Sequence, residues 1–337
     1  MKKKILFLLL SFVLLSSCKV THEILSGQKF DKRIGDAELS RVSEENCYPF
    51  TLDCELFYGC PIVNYVLNGR ETRFLLDTGS KYNGITNQGL EKLGYNIYDF
   101  QVSLLPVYIK SNKMDANLLL EIKNNNTTVI DKLLKQMIKS FDYGNAYLVT
   151  LNGIQWGYGR MIDSELDGIL GQAFLKENKI VTLDFINNVM ILNNEKIQKN
   201  IIKMEWNDFS HLVISFNYKD YVESAIIDTG NYSFTPRYNL GKNRAKYNID
   251  PSNITSQTFI RNFKEKRVFP IIHTYNDISI GEEEFNNIRG VYANVFFSGY
   301  DKNVRILLLD NSSIGCALLN NHILQLDYEH MEMSLTK

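Results

Sequence analysis

Phe74-Leu75-Leu76-Asp77-Thr78-Gly79-Ser80 and Ala225-Ile226-Ile227-Asp228-Thr229-Gly230-Asn231 carry the strongest pattern in this chain. Each is an apolar run closed by Asp-Thr-Gly, the signature of a buried strand that ends in a tight turn. A single Asp-Thr-Gly arises by chance in roughly one chain in fifteen of this length. Alone, it reads as a turn whose aspartate bonds nearby backbone N–H groups. Two copies with the same apolar approach, set in halves that match elsewhere, require a common cause.

The match extends on both sides of each motif. Upstream of Asp77, Ile62 to Leu67, the turn Asn68-Gly69 and Arg70 to Leu76 read as strand, hairpin turn and strand. Upstream of Asp228, a strand from Leu212, a weaker turn at Tyr218-Lys219-Asp220 and a second strand ending at Ile227 repeat that order. Downstream, Asp167-Gly168-Ile169-Leu170-Gly171 leads to Val181-Thr182-Leu183-Asp184-Phe185 and then Val189 to Leu192. In the second half Ser313-Ile314-Gly315-Cys316 leads to Ile323 to Tyr328 and then Met331 to Leu335. Each closing unit reads as strand, glycine, short helix, strand, turn, strand. The aspartate-to-glycine interval is 94 residues in the first half and 87 in the second. Such a long unit occurring twice implies a duplicated, two-lobed protein. The middles differ, with extra sequence around Lys110 to Ser140 and a helix expected over Val129 to Lys139, where Asp131, Leu133, Leu134, Met137 and Ile138 have helical spacing. Strands are expected at Leu148 to Ile154 and Ile278 to Gly281.

Bulk composition suits a folded two-lobe chain. Its 337 residues are 45% hydrophobic and 22% charged, enough for a substantial core. Nineteen Tyr and nineteen Phe against six Pro favour strands. A net charge of −1 gives no reason to expect nucleic acid as a partner. Met1-Lys2-Lys3-Lys4, the apolar run Ile5 to Leu15 and Leu15-Ser16-Ser17-Cys18 form a basic, apolar, small-residue leader too short to span a bilayer comfortably. It looks like a bacterial lipoprotein signal, so residues 1–17 are expected to be removed and Cys18 lipidated. Residues 18–47 are polar and aperiodic and read as a tether. The lobes are then 48–197 and 198–337, with their boundary in the polar stretch Asn193 to Lys203.

Among the remaining cysteines, Cys54 and Cys60 are close enough to pair across a small loop, while Cys47 leaves other pairings open. Cys316, within an apolar run, reads as a buried thiol. No metal is expected, because neither a Cys-x-x-Cys spacing nor a His pair is present. Gly-x-Ser-x-Gly, His-Glu-x-x-His and Walker motifs are absent. The basic run Arg261 to Arg267 reads as a solvated loop. Asp163, Asp167 and Asp184 read as turn or solvated residues. Trp156 and Tyr158 could line a cleft or pack in the core.

The paired Asp-Thr-Gly segments, with Ile169-Leu170-Gly171 and Ser313-Ile314-Gly315, resemble the aspartic peptidases of the pepsin and retropepsin type. The resemblance spans about Phe57 to Leu335 and is strongest in the first half. There Leu76-Asp77-Thr78-Gly79-Ser80, Leu90-Glu91-Lys92-Leu93-Gly94, Asp167 to Gly171 and Thr182-Leu183-Asp184-Phe185 follow the pattern of bacterial retropepsin-like domains. It implies an all-β, β-rich fold with short helices, in which each of two lobes supplies one aspartate to the floor of a shared cleft. It also implies a hairpin flap, for which Tyr108 and Tyr143 are candidates. Two departures stand out: Ser313 replaces a usual aliphatic residue, and Asn231 replaces the usual Ser or Thr.

The chemistry expected of Asp77 and Asp228 is amide hydrolysis. Two carboxylates in contact cannot both ionise easily, so they share one proton. The ionised member then takes a proton from a water while the protonated member polarises the scissile carbonyl. Neither a cofactor nor a covalent intermediate is needed. Gly79 and Gly230 would permit close backbone approach. Thr78 and Thr229 would bond across the lobe interface. Ser80 would donate to Asp77 and favour its ionised form, and Asn231 would donate from its amide. These features imply an aspartic endopeptidase that acts as a monomer on peptide or protein substrates. It would be tethered by lipid to a membrane of the cell envelope, the outer membrane of a Gram-negative bacterium. The competing expectation is a non-catalytic lipoprotein of the same fold that binds peptide or another ligand.

Overall fold

The computed structural model describes residues 46–53, 59–141, 146–151, 153–159, 165–207, 210–231, 234, 258–262, 265–269, 272–291 and 312–337. The leader, Cys18, most of the tether, Cys54, Tyr143 and Asp163 lie outside the described residues.

In the first half the order is β1 (Cys47–Asp53), β2 (Cys60–Leu67), β3 (Arg70–Leu76), β4 (Asn83–Ile85), α1 (Asn87–Lys92), α2 (Ile97–Ser111), α3 (Asn117–Lys123), α4 (Thr127–Phe141), β5 (Tyr147–Leu151), β6 (Ile154–Tyr158), β7 (Gly168–Leu170), α5 (Gln172–Leu175), β8 (Ile180–Asp184) and β9 (Val189–Leu192). The second half continues with β10 (Ile201–Trp206), β11 (Leu212–Tyr218), β12 (Tyr221–Ile227), β13 (Thr258–Asn262), β14 (Glu265–Phe269), β15 (Ile272–Tyr275), β16 (Ile278–Ile280), β17 (Glu283–Phe285) and β18 (Ile288–Val291). It ends with β19 (Ser312–Ile314), α6 (Cys316–Leu319), β20 (Ile323–Asp327) and β21 (Glu332–Thr336). Among the described residues strand outweighs helix, 42% to 26%, and the strands join mostly into one large mixed sheet, so the fold class is the expected β-rich one.

The two hairpins that approach the aspartates are built alike. β2 pairs antiparallel with β3 through Leu67↔Arg70, and β11 with β12 through Tyr218↔Tyr221. The first turn places Asn68 and Gly69 at φ +53° and +70°, the left-handed pair that a two-residue hairpin requires. The second turn has no glycine and holds Lys219 at φ +51°. Exposed residues occupy the turn end of each outgoing strand, Arg70 and Glu71 in β3 and Tyr221 and Val222 in β12. Phe74-Leu75-Leu76 and Ala225-Ile226-Ile227 are buried at the other end. β3 then lies parallel to β7 (Leu76↔Leu170), and β12 parallel to β19 (Ile227↔Ile314). Each Asp-Thr-Gly is thereby flanked by its own closing unit.

β8 and β20 pair antiparallel and join the halves, with Leu183 opposite Leu324 and Val181 opposite Leu326. All four side chains are fully buried. β9 and β21 extend this sheet on either side. β1 and β10 pair at its edges and also with β2 and β11, carrying the hydrogen bonding into each half.

Between β4 and β5 the first half carries four helices, α1 to α4. The helix expected at Val129 to Lys139 is α4, which buries Ile130, Leu133, Leu134, Met137 and Phe141 along one stripe. α2 buries Phe100, Leu104, Leu105, Tyr108 and Ile109 although Pro106 lies inside it. Tyr108 therefore belongs to the core side of α2, which removes it as a flap residue. Trp156 lies against Phe74 with ring centroids 5.4 Å apart. Tyr158 meets Phe100 edge-on at 5.0 Å and donates from its hydroxyl to Asn87 at 3.0 Å. Both aromatics are core residues rather than cleft walls. The basic run Arg261 to Arg267 is not a loop throughout. β13 and β14 form a hairpin over it, because Thr258-Phe259-Ile260 and Val268-Phe269 supply strand-forming residues at the far ends. No helix among the described residues is long and apolar enough to cross a membrane.

Candidate active site

The parallel pairings bring both aspartates to the seam between the halves. Asp77 N–H donates to the Leu170 carbonyl and Asp228 N–H to the Ile314 carbonyl, each at 3.0 Å. One residue later the loops clasp each other. Thr78 N–H donates to Thr229 Oγ1 at 3.1 Å and Thr229 N–H to Thr78 Oγ1 at 3.0 Å. The hydroxyls pass the bonds on, Thr78 Oγ1 to the Ile227 carbonyl at 2.8 Å and Thr229 Oγ1 to the Leu76 carbonyl at 2.7 Å. Both threonines are fully buried, so these four reciprocal bonds satisfy groups that water cannot reach.

The glycines show how closely the carboxylates sit to the opposite loop. A methyl group at Gly79 would lie 2.4 Å from Asp228 Oδ1, and one at Gly230 would lie 2.3 Å from Asp77 Cγ. These are overlaps, not contacts. The missing side chains are what let each carboxyl rest on its partner's loop.

Asp77 is fully buried and Asp228 nearly so. Burial first, then repulsion from the Asp228 carboxylate and a hydrogen bond shared with it, hold Asp77 well above the usual carboxylate range. Backbone N–H groups of Gly79 and Ser80 pull the other way, Gly79 N–H reaching Oδ1 at 2.9 Å. Two buried carboxyls this close oppose each other's ionisation, which favours a single proton for the pair in a site from which solvent is largely excluded.

The remaining expected support residues divide. Ser80 does not donate its hydroxyl to Asp77. It donates to the Tyr82 carbonyl at 2.9 Å, and only its backbone N–H serves the aspartate. The chain bends there toward β4, which brings that carbonyl nearer the hydroxyl. Asn231 does donate from its amide, to Ser313 Oγ at 3.2 Å.

No family model and no curated protein matches the sequence. Among solved structures the chain is similar to a retropepsin-like aspartic protease from Rickettsia conorii. The identity is 18%, the coverage 40% of this chain and 90% of that one, and the TM-score 0.26.

Sequence reasoning missed several residues around the pair. Asp167 was expected at a turn or in solvent but is fully buried. It accepts from Lys92 Nζ at 2.6 Å, Gln88 Nε2 at 2.9 Å and Arg73 N–H at 2.7 Å, fastening α1 to the start of β7. Asp-Gly ahead of an apolar run was its only signal. Asn83 Oδ1 accepts from Gly171 N–H at 3.0 Å, and Gln172 Nε2 donates to the Thr78 carbonyl at 2.6 Å. Its counterpart after Gly315, Cys316, sends its thiol to the Thr229 carbonyl at 3.2 Å. Cys316 is a buried thiol as expected, and its neighbour is the buried thiol of Cys60. That contact, then burial and the nearby charges of Cys316, Asp228 and Asp77, push the Cys60 thiol well up, so it stays neutral. Asp184 is a turn residue as expected, accepting from the N–H groups of Ile186 and Asn187 at 2.9 Å.

Proposed function

We propose that this chain is an aspartic endopeptidase in which Asp77 and Asp228 activate one water against a peptide carbonyl. The observation that carries the reading is the pair itself: two buried carboxyls from opposite halves, each resting on the other's glycine. Keeping two acids in contact away from solvent is unfavourable for folding, and general acid–base chemistry is a use that requires both. The ionised carboxylate takes the proton of a bound water as its oxygen attacks the carbonyl carbon. The protonated one hydrogen-bonds the carbonyl oxygen and then supplies a proton for departure of the amine. Thr78 and Thr229 do not touch the reacting atoms; they fix the relative position of the two loops.

Residues 1–17 are proposed as the leader and Cys18 as the lipidated first residue of the mature chain. This would tether a monomeric enzyme to the cell envelope, at the outer membrane of a Gram-negative bacterium. Peptides or unfolded proteins are the proposed substrates. Purified protein incubated with an unfolded protein from acidic to neutral pH is expected to generate discrete fragments. A statine-type mimic, carrying a hydroxyl where the attacked carbonyl would be, is expected to suppress them. Tight peptide binding with no fragments across that range would instead favour a non-catalytic binding lipoprotein.

A further inference from the structure

We propose that Ser313 and Asn231 are positioning residues that favour the ionised form of Asp228 within the pair. The inference rests on the peptidase reading for its catalytic meaning, but the protonation bias is a property of the folded pair and is measurable without turnover.

The geometry begins with an inequality between the two closing units. Ile169 and Ser313 occupy equivalent places: Ile169 is opposite Leu75 in one parallel pairing, and Ser313 opposite Ile226 in the other. Only the second position carries a hydroxyl. Ser313 is buried. Its Oγ accepts from Asn231 Nδ2 at 3.2 Å and donates to Asp228 Oδ2 at 3.5 Å. Occupation of its oxygen by the amide aims its own proton at the carboxylate. An amide–hydroxyl–carboxylate relay therefore ends on Asp228.

Asp77 is served differently: Gly79 N–H donates to its Oδ1 at 2.9 Å, while the Ser80 hydroxyl is turned to the Tyr82 carbonyl. A hydroxyl donor favours the ionised form of the carboxylate it reaches. Among the described residues, the ionisable groups near Asp228 include the Asp77 carboxyl from the opposite loop and the Cys60 thiol on β2, with the Cys316 thiol at the start of α6 beside Cys60. The Cys60 thiol is held neutral and Asp77 opposes a second negative charge, so neither supplies the bias that Ser313 does. The two departures from the resembled family thus act together: Asn231 donates to Ser313, and Ser313 donates to Asp228.

The test is the pH profile of kcat/KM for Ser313→Ala, Ser313→Thr and Asn231→Ala in the full chain. Removal of a donor to the carboxylate raises the pKa of the base, so the acid limb should move upward. A shift of about half to one pH unit is expected for Ser313→Ala and a smaller one for Asn231→Ala. Ser313→Thr, which keeps the hydroxyl, should restore the wild-type limb. A purely structural role would lower activity at every pH without moving the limb. An unmoved limb in Ser313→Ala and Asn231→Ala, or equal shifts in the Ala and Thr variants, would overturn the proposal. If the wild-type protein cleaves nothing, the carboxyl NMR signals of the pair provide the same reading. Upward movement of the lower titration step in Ser313→Ala would uphold the bias while the peptidase reading fails; no movement would overturn both.

Discussion

Asp77→Asn and Asp228→Asn are each expected to lower kcat/KM by about 10²–10⁴-fold, the range typical of losing a positioned general acid or base. The substitution keeps size and shape but removes the titrating proton. Water activation and carbonyl polarisation are divided between the two carboxyls, so neither works alone. The double variant should consequently fall little further than either single one. Loss of folding would be a trivial cause, and the direction of the Asp77 shift argues against it. A carboxyl held above its ordinary range binds its proton more tightly in the folded than in the unfolded chain. Stability must then fall as pH rises from the ordinary aspartate range through that raised value. Asp77→Asn removes this penalty. The variant is expected to be at least as stable as wild type at neutral pH and inactive there. Thermal unfolding and peptide cleavage measured on the same samples would check both halves of the expectation. Full activity in either variant would be inconsistent with the dyad.

The opposite outcome is expected at the clasp. Thr78→Val strips the acceptor from Thr229 N–H and the donor from the Ile227 carbonyl, both buried. Each abandoned buried group costs about 1–3 kcal/mol, so the substitution should cost about 2–6 kcal/mol. Against the roughly 5–15 kcal/mol that holds an ordinary domain together, that is a large share. Thr229→Val should do the same through Thr78 N–H and the Leu76 carbonyl. Because both threonines belong to one network, the double variant should cost less than the sum. Thr78→Ser keeps all the bonds and loses one methyl, a cost of about 1 kcal/mol. The measurement is the denaturant midpoint at unchanged slope. A midpoint in Thr78→Val equal to that in Thr78→Ser would show that the clasp contributes nothing.

Much of this arrangement was legible before any coordinates, for physical reasons. Asn68-Gly69 is a two-residue hairpin turn because it tolerates left-handed backbone, and that sets the register that carries Phe74-Leu75-Leu76 into the core ahead of Asp77. The second half repeats the pattern well enough that Lys219-Asp220 could be found as its turn. Less was legible where local signals oppose tertiary packing. α2 spans Ile97–Ser111 with Pro106 inside, a residue that argues against a helix interior, and only burial of Phe100, Leu104 and Leu105 overrides it. Asp167 resembles any turn aspartate until Lys92, distant in sequence, is brought beside it. Ser80 was expected at Asp77, but hydroxyl orientation depends on the path of the chain toward Tyr82, which no sequence pattern encodes. Ser313 counted as a departure from the resembled family for a related reason. Its oxygen acquires meaning only once parallel pairing sets it beside Asp228.

The central claim is that two acids from opposite halves meet and hold a single proton between them. Carbon-13 NMR of the aspartate carboxyl groups across acidic and neutral pH tests it without substrate. The account predicts a paired titration in which one step lies well above the ordinary aspartate range and belongs to Asp77 and Asp228 jointly, and in which that high step disappears in Asp228→Asn. Two independent titrations at ordinary aspartate values, unaffected by the partner's substitution, would contradict it.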